Sequence, residues 1–242
     1  MLKIEGLSHF KLGSASSGTY QAIINQVRPH DSFIVPFLGA CDVVRVMNTP
    51  VRILASEINS DVVGLWQKAK LPTLQVFQLP AITFLRRLDF STLGKAVVYL
   101  DVPYIEPKGR QSPEYPLSKE GHIELLEFIL TGIPKTVDII IRTEPHRLYE
   151  NRLRGWRRLP LSEGTTNYQS REALFLNYPE PETLHDYQFL GKTAKERELF
   201  KSLLDRAKKR LENFSPLQQK AFLTALNQHL ERIVEKKEKG YI

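Results

Sequence analysis

Four consecutive residues hold most of the chemistry legible in this chain: Asp101, Val102, Pro103 and Tyr104, which close the apolar run Ala-Val-Val-Tyr-Leu at 96–100. A carboxylate, a rigid proline and an aromatic ring at the end of a buried strand suit a flat group that bears an amine. Asp101 accepts from the exocyclic N–H and Tyr104 stacks on the ring. The same residues also suit a plain strand end and turn, where Asp and Pro are common. A second acid, Glu57, follows the run at 51–55. It is placed either to take the two hydroxyls of a ribose or to serve as an acidic first-turn residue of the next helix. The six histidines show no metal-ligand spacing, and no phosphate-binding P-loop is present. The single cysteine, Cys41, excludes an intramolecular disulfide and a multi-cysteine zinc site, and reads as a small residue filling a turn.

These residues need elements to position them. Strand-like runs at 32–36, 51–55, 74–78, 96–100 and 137–141 alternate with helical stretches at 19–27, 60–70 and 119–130. Such alternation predicts an α/β fold whose mainly parallel sheet is covered on both faces. Ligands bind in those sheets beyond the carboxyl ends of the strands, where residues 37–42 and 101–104 both fall.

At 242 residues, with 42% hydrophobic and 25% charged residues, the chain is long enough for one substantial core. No apolar run reaches the length of a membrane span, and the first residues lack a signal-type apolar core, so a cytoplasmic protein with no membrane partner is expected. A formal charge of +7 favours a polyanionic partner.

Ordered motifs extend over nearly the whole chain: residues 18–25 with Pro29-His30-Asp31, Pro36-Phe37-Leu38-Gly39, Glu57-Ile58-Asn59-Ser60-Asp61, and Tyr99-Leu100-Asp101 with Pro103-Tyr104. They continue with Leu148-Tyr149, Gly155-Trp156, Asn177-Tyr178-Pro179 and Leu184-His185-Asp186-Tyr187 with Leu190-Gly191. In these the chain resembles the adenine-specific DNA methyltransferases of the D12 or Dam-like class, particularly short phage and mobile-element forms. The resemblance implies a Rossmann-like, S-adenosylmethionine-dependent methyltransferase fold and transfer of a methyl group to adenine N6 in DNA. It implies that Pro36, Phe37, Gly39, Glu57, Ile58 and Asp101 line the cofactor. Asp101 and the carbonyl of Val102 would accept the N6 hydrogens, and Pro103 and Tyr104 would hold the flipped base. No metal is called for.

Departures from the family pattern gather on the cofactor side. Ser14-Ala15-Ser16-Ser17 stands where the family places a lysine, Val35 where an acid precedes Pro-Phe, and Ala40-Cys41-Asp42 where a glycine-rich turn is usual. Pro80 aligns with an aspartate, Arg142-Thr143-Glu144 with Ser-Gly-Tyr, and Val102 with the first proline of Asp-Pro-Pro-Tyr. Two readings therefore stand: an active enzyme with a divergent site, and a catalytically impaired methyltransferase-fold protein that binds DNA or a protein partner.

Lys108 and Arg110, in the polar loop after Tyr104, are candidate DNA contacts. So are Arg154 and Arg157, in an arginine cluster around Trp156 on a helix-like stretch and its exit. A short recognition element is expected from the loop after Tyr104 and from residues 159–171. Two capping-box patterns, Thr193-x-x-Glu196 and Ser215-Pro216-x-Gln218, predict a C-terminal helical hairpin over 192–242, apart from a methyltransferase-like domain over 1–191. Its leucine stripes point to self-association or to packing on the larger domain rather than to DNA.

Overall fold

The computed structural model describes residues 4, 6, 19–47, 52–105, 116–161 and 172–238. Among the described residues seven strands form one sheet: β1 (Ser32–Val35), β2 (Arg52–Ser56), β3 (Leu74–Phe77), β4 (Ala96–Asp101), β5 (Asp138–Thr143), β6 (Arg157–Pro160) and β7 (Ala173–Leu176). Their order is β3-β2-β1-β4-β5-β7-β6. The first five are mutually parallel, whereas β7 runs antiparallel to both β5 and β6.

Side chains alternate across the strands, so the sheet divides the core into two layers. Phe33, Val35, Val97 and Tyr99 face helices α1 (Thr19–Ile24), α2 (Asp42–Val46) and α3 (Ser60–Lys68), meeting Ile23, Ile24, Val43, Val44, Val62 and Trp66. Ile34, Val98, Leu100, Ile139 and Ile141 face α4 (Ala81–Arg87), α5 (Lys119–Thr131) and α6 (Arg147–Arg152), meeting Phe84, Leu85, Leu125, Leu126, Ile129 and Tyr149. Burial on both faces explains why these strands read as continuous apolar runs. Caps fix the helix starts next to the sheet edge. Asn59 accepts from the backbone N–H of Asp61 and Val62 at α3, and Ser118 accepts from Gly121 at α5.

Several elements differ from the sequence expectation. The arginine-rich stretch is helical only over α6; Arg157 and Arg158 lie on strand β6, as do Leu159 and Pro160 of the expected recognition element. Leu161 follows the strand, and residues 162–171 of that element, with residues 106–115 of the loop after Tyr104, lie outside the described residues. Helices α2 and α4, and strands β6 and β7, carry no counterpart in the sequence reading.

The chain divides into two compact units, Met1–Phe189 and Leu190–Ile242. The second consists of α7 (Ala194–Glu212) and α8 (Pro216–Glu238). Thr193 accepts from the backbone N–H of Glu196. Ser215 and Gln218 close a reciprocal capping box, the Ser215 N–H donating to Gln218 Oε1 at 2.9 Å and the Gln218 N–H to Ser215 Oγ at 3.4 Å. Leu199, Leu203, Leu223, Leu226 and Leu230 stay exposed along the two helices. Among the described residues no helix is long and apolar enough to cross a membrane.

Candidate functional site

The chain reverses direction across the sheet between β1 and β4, and residues 36–39 beyond β1, Glu57 and Ile58 beyond β2 and residues 101–104 at and beyond the end of β4 stand at the carboxyl ends of these neighbouring strands. Beyond β1, Pro36 and Leu38 are buried, Phe37 is half-buried, and Gly39 turns the chain at φ +44°. That left-handed conformation suits glycine. The turn is tied on three sides. Leu38 N–H donates to Ser56 O at 3.0 Å, Gly39 N–H to Glu57 Oε2 at 2.9 Å, and the Trp66 indole N–H to Gly39 O at 2.7 Å. Cys41 lies in the core next to this turn; burial pushes its thiol up to about 12, so it is no nucleophile at neutral pH.

Beyond β2, the buried Glu57 carboxylate faces backbone. Its Oε2 takes the Gly39 N–H, while Oε1 takes those of Ile58 at 2.8 Å and Asn59 at 2.9 Å. Three of its four lone-pair positions are thereby used. Both sequence alternatives for Glu57 are thus joined by a third role, the stapling of the β1 turn to the β2 exit. Ile58, directly after it, is 46% exposed and offers an apolar plate. Beyond β3, Pro80 caps α4 and supplies only its carbonyl, which accepts from Phe84 N–H at 2.9 Å.

Beyond β4, Asp101 is the register partner of Arg142 on β5. The Arg142 Nη1 donates to Asp101 Oδ1 at 3.1 Å and Oδ2 at 2.9 Å. Its Nε and Nη2 reach Glu172 Oε2 at 3.1 and 2.5 Å. Glu172 stands just before β7, and its other oxygen accepts the Tyr104 hydroxyl. Burial raises the Asp101 carboxyl above the usual range, and the Arg142 guanidinium opposes that rise. Val102 is buried, and its N–H donates to Arg142 O at 3.0 Å. A proline there could not make this bond, so the Val102 departure has a structural use.

Arg142 was legible in the sequence only as a departure from a pattern, and Glu172 gave no signal at all. Their meeting with Asp101 depends on strand register, which no local spacing reveals. The proposed DNA contacts separate. Arg154 is exposed, whereas Arg157 is half-buried and used internally, with Nη2 on Gln26 Oε1 at 2.7 Å and Nε on Tyr178 O at 3.3 Å. Arg152 and Arg158 are paired with Glu127 and Glu150. Lys108 and Arg110 lie outside the described residues.

A five-stranded parallel sheet continued by a reversed β7, with β6 at the edge, is the Rossmann-like architecture of the S-adenosylmethionine-dependent methyltransferases. Neither a protein-family model nor a curated protein matches the chain. Among solved structures it is similar to an rRNA methylase from Streptococcus thermophilus, at 10% identity over 65% of this chain and 92% of that one, with a TM-score of 0.42. It is also similar to the 23S rRNA methyltransferase ErmE, at 12% identity over 78% and 75%, TM-score 0.43. A third is a SAM-dependent methyltransferase from Agrobacterium tumefaciens, at 11% identity over 65% and 58%, TM-score 0.39.

Proposed function

We propose that the chain transfers a methyl group from S-adenosylmethionine to N6 of an adenine in DNA. The observation that carries this reading is the place and state of Asp101. It ends β4 at the switch point, it is paired from within by Arg142, and 24% of its side chain stays open to solvent. A carboxylate with one open side can accept a hydrogen from an amine. The carbonyl of Val102 is the second acceptor, and Tyr104, its hydroxyl held by Glu172, presents its ring to the base.

The residues at the other strand ends fit the methyl donor in part of their number. Ile58 gives an exposed apolar surface for a purine, the Gly39 turn permits close approach of backbone, and Glu57 retains one lone-pair position for a ribose hydroxyl. Pro80 adds neither a carboxylate nor an N–H donor. The bound donor supplies an electrophilic methyl group, and the protein's part is to orient N6 toward it and to hold its hydrogens. With Glu57 largely occupied and Pro80 silent, donor affinity is expected between high micromolar and millimolar, because each lost polar contact costs about 1.5 to 3 kcal/mol when charge-assisted.

A second reading, DNA binding without methylation, is favoured by the same occupation of most of the Glu57 carboxylate by backbone N–H groups. Calorimetric titration separates the two. Saturable binding of S-adenosylmethionine that weakens on Ile58→Asp supports the enzyme, and no heat at millimolar donor sinks it. DNA retardation in gels that is indifferent to the donor then supports the binding protein.

A further inference from the structure

Arg142 and Glu172 take no direct part in the reaction proposed above, yet both halves of the base site hang from them. The Arg142 side chain is only 6% exposed and that of Glu172 13%, against 24% for Asp101. The guanidinium is therefore more deeply buried than Asp101, part of whose side chain stays open to solvent. One of its nitrogens serves Asp101 and the other two serve Glu172, whose remaining oxygen takes the Tyr104 hydroxyl. The order Asp101, Arg142, Glu172, Tyr104 is a continuous polar chain from acceptor to stacking ring, built across β4, β5 and the start of β7.

We infer that Arg142 and Glu172 are the positioning and specificity-determining residues of the base site: Arg142 favours Asp101 as an acceptor-only anion and Glu172 fixes Arg142 and Tyr104, so that the site selects a base edge bearing an exocyclic amine over one bearing an oxo group. The inference rests on the base-site reading of Asp101. A buried carboxyl with no cation takes up a proton, and it then donates as well as accepts. In that state it would tolerate an oxo group and lose its preference for an amine. Burial raises the Asp101 carboxyl above its usual range, and Arg142, with the Tyr99 hydroxyl, opposes that rise and favours the anion, so that an incoming oxo oxygen meets negative charge. Glu172 contributes through geometry: it fixes the fork of Arg142 and the tilt of Tyr104. Its own negative charge works against ionisation of Asp101.

The test uses the full chain labelled with carboxyl-13C aspartate. The Asp101 resonance, identified by its loss in Asp101→Asn, is followed by NMR across pH in the wild type, Arg142→Gln, Arg142→Lys and Glu172→Gln. Arg142→Gln should raise the Asp101 midpoint by about one to three pH units, Arg142→Lys should restore most of that, and Glu172→Gln should lower it. In parallel, affinity is measured for oligo(dA) and for oligo(dI), the same purine with a 6-oxo group in place of the 6-amino group. The wild type should prefer oligo(dA) by about tenfold or more, in line with a charge-assisted hydrogen bond, and Arg142→Gln should bring the two close to parity at neutral pH. An unmoved midpoint in Arg142→Gln overturns the inference. If that variant does not fold, a Glu172→Gln midpoint that stays put or rises does so instead. Midpoints that move as expected while the wild type ignores the amine overturn the base-site reading and the selectivity with it, leaving only an electrostatic pair.

Discussion

Asp101 and Arg142 sit side by side at the carboxyl ends of neighbouring parallel strands, and one guanidinium nitrogen, Nη1, bonds both carboxylate oxygens at 3.1 and 2.9 Å. Glu172 holds the other side of the same guanidinium, so one buried cation serves two carboxyl groups. The cation is therefore the member whose loss leaves most charge uncompensated.

Arg142→Ala should cost about 3 to 5 kcal/mol, since removing one partner strands buried charge. Asp101→Asn keeps an acceptor oxygen and leaves Arg142 its Glu172 partner, so about 1 kcal/mol is expected. Urea melts of the two variants check this order. Equal losses would place Arg142 outside the core of the pairing.

Glu57→Ala should destabilise the chain by about 2 to 4 kcal/mol with no donor present, because the backbone N–H groups of Gly39, Ile58 and Asn59 lose their common acceptor. Glu57→Gln keeps one acceptor oxygen and should cost roughly half as much. Thermal melts without added ligand measure both. A wild-type melt for Glu57→Ala would return Glu57 to a purely ligand-binding role.

How much of this was readable beforehand depends on what each residue pairs with. Strands β1 to β5 lie within two residues of the expected runs, because a strand covered on both faces is a short unbroken apolar string. Strand β6 begins Arg157-Arg158, alternates half-buried with exposed side chains and ends in Pro160, as an edge strand can, so its local sequence resembles the end of a helix. The site divides along the same line. Asp101, Tyr104 and Glu57 follow strands directly and could be placed by counting, whereas the partners that set their state, Arg142 and the backbone of Gly39, come from adjacent strands. Register decides such meetings, and it is a property of the folded sheet.

Acid should unfold the chain earlier than its carboxylates alone would. His30 and His122 are buried, and burial lowers each imidazole from 6.5 to about 4. The unfolded chain therefore takes up these protons at higher pH than the folded one. The histidines' contribution is complete above about pH 6.5 and is lost as pH falls toward 4, at up to about 1.4 kcal/mol per pH unit for each. Melts between pH 7.5 and 4.5 should show a shallower decline in His30→Gln and His122→Gln than in the wild type.

Two neighbouring arginines should separate by function. Arg157→Ala should cost about 1 kcal/mol of stability through its lost contacts with Gln26 and Tyr178. Arg154→Ala should leave stability within about 0.5 kcal/mol and reduce the salt slope of DNA binding by about one. DNA titrations at several salt concentrations, paired with melts, read both. Identical behaviour of the two variants would argue against the division.

Methyl transfer itself is the most direct measurement: nucleoside mass spectrometry of unmethylated DNA after incubation with the chain and millimolar S-adenosylmethionine. The expected result is N6-methyladenine with the wild type and none with Asp101→Asn, a variant expected to remain folded. N6-methyladenine produced equally by both, or none from a wild type shown to bind donor and DNA, would contradict the assignment of Asp101 as the acceptor of an adenine amine.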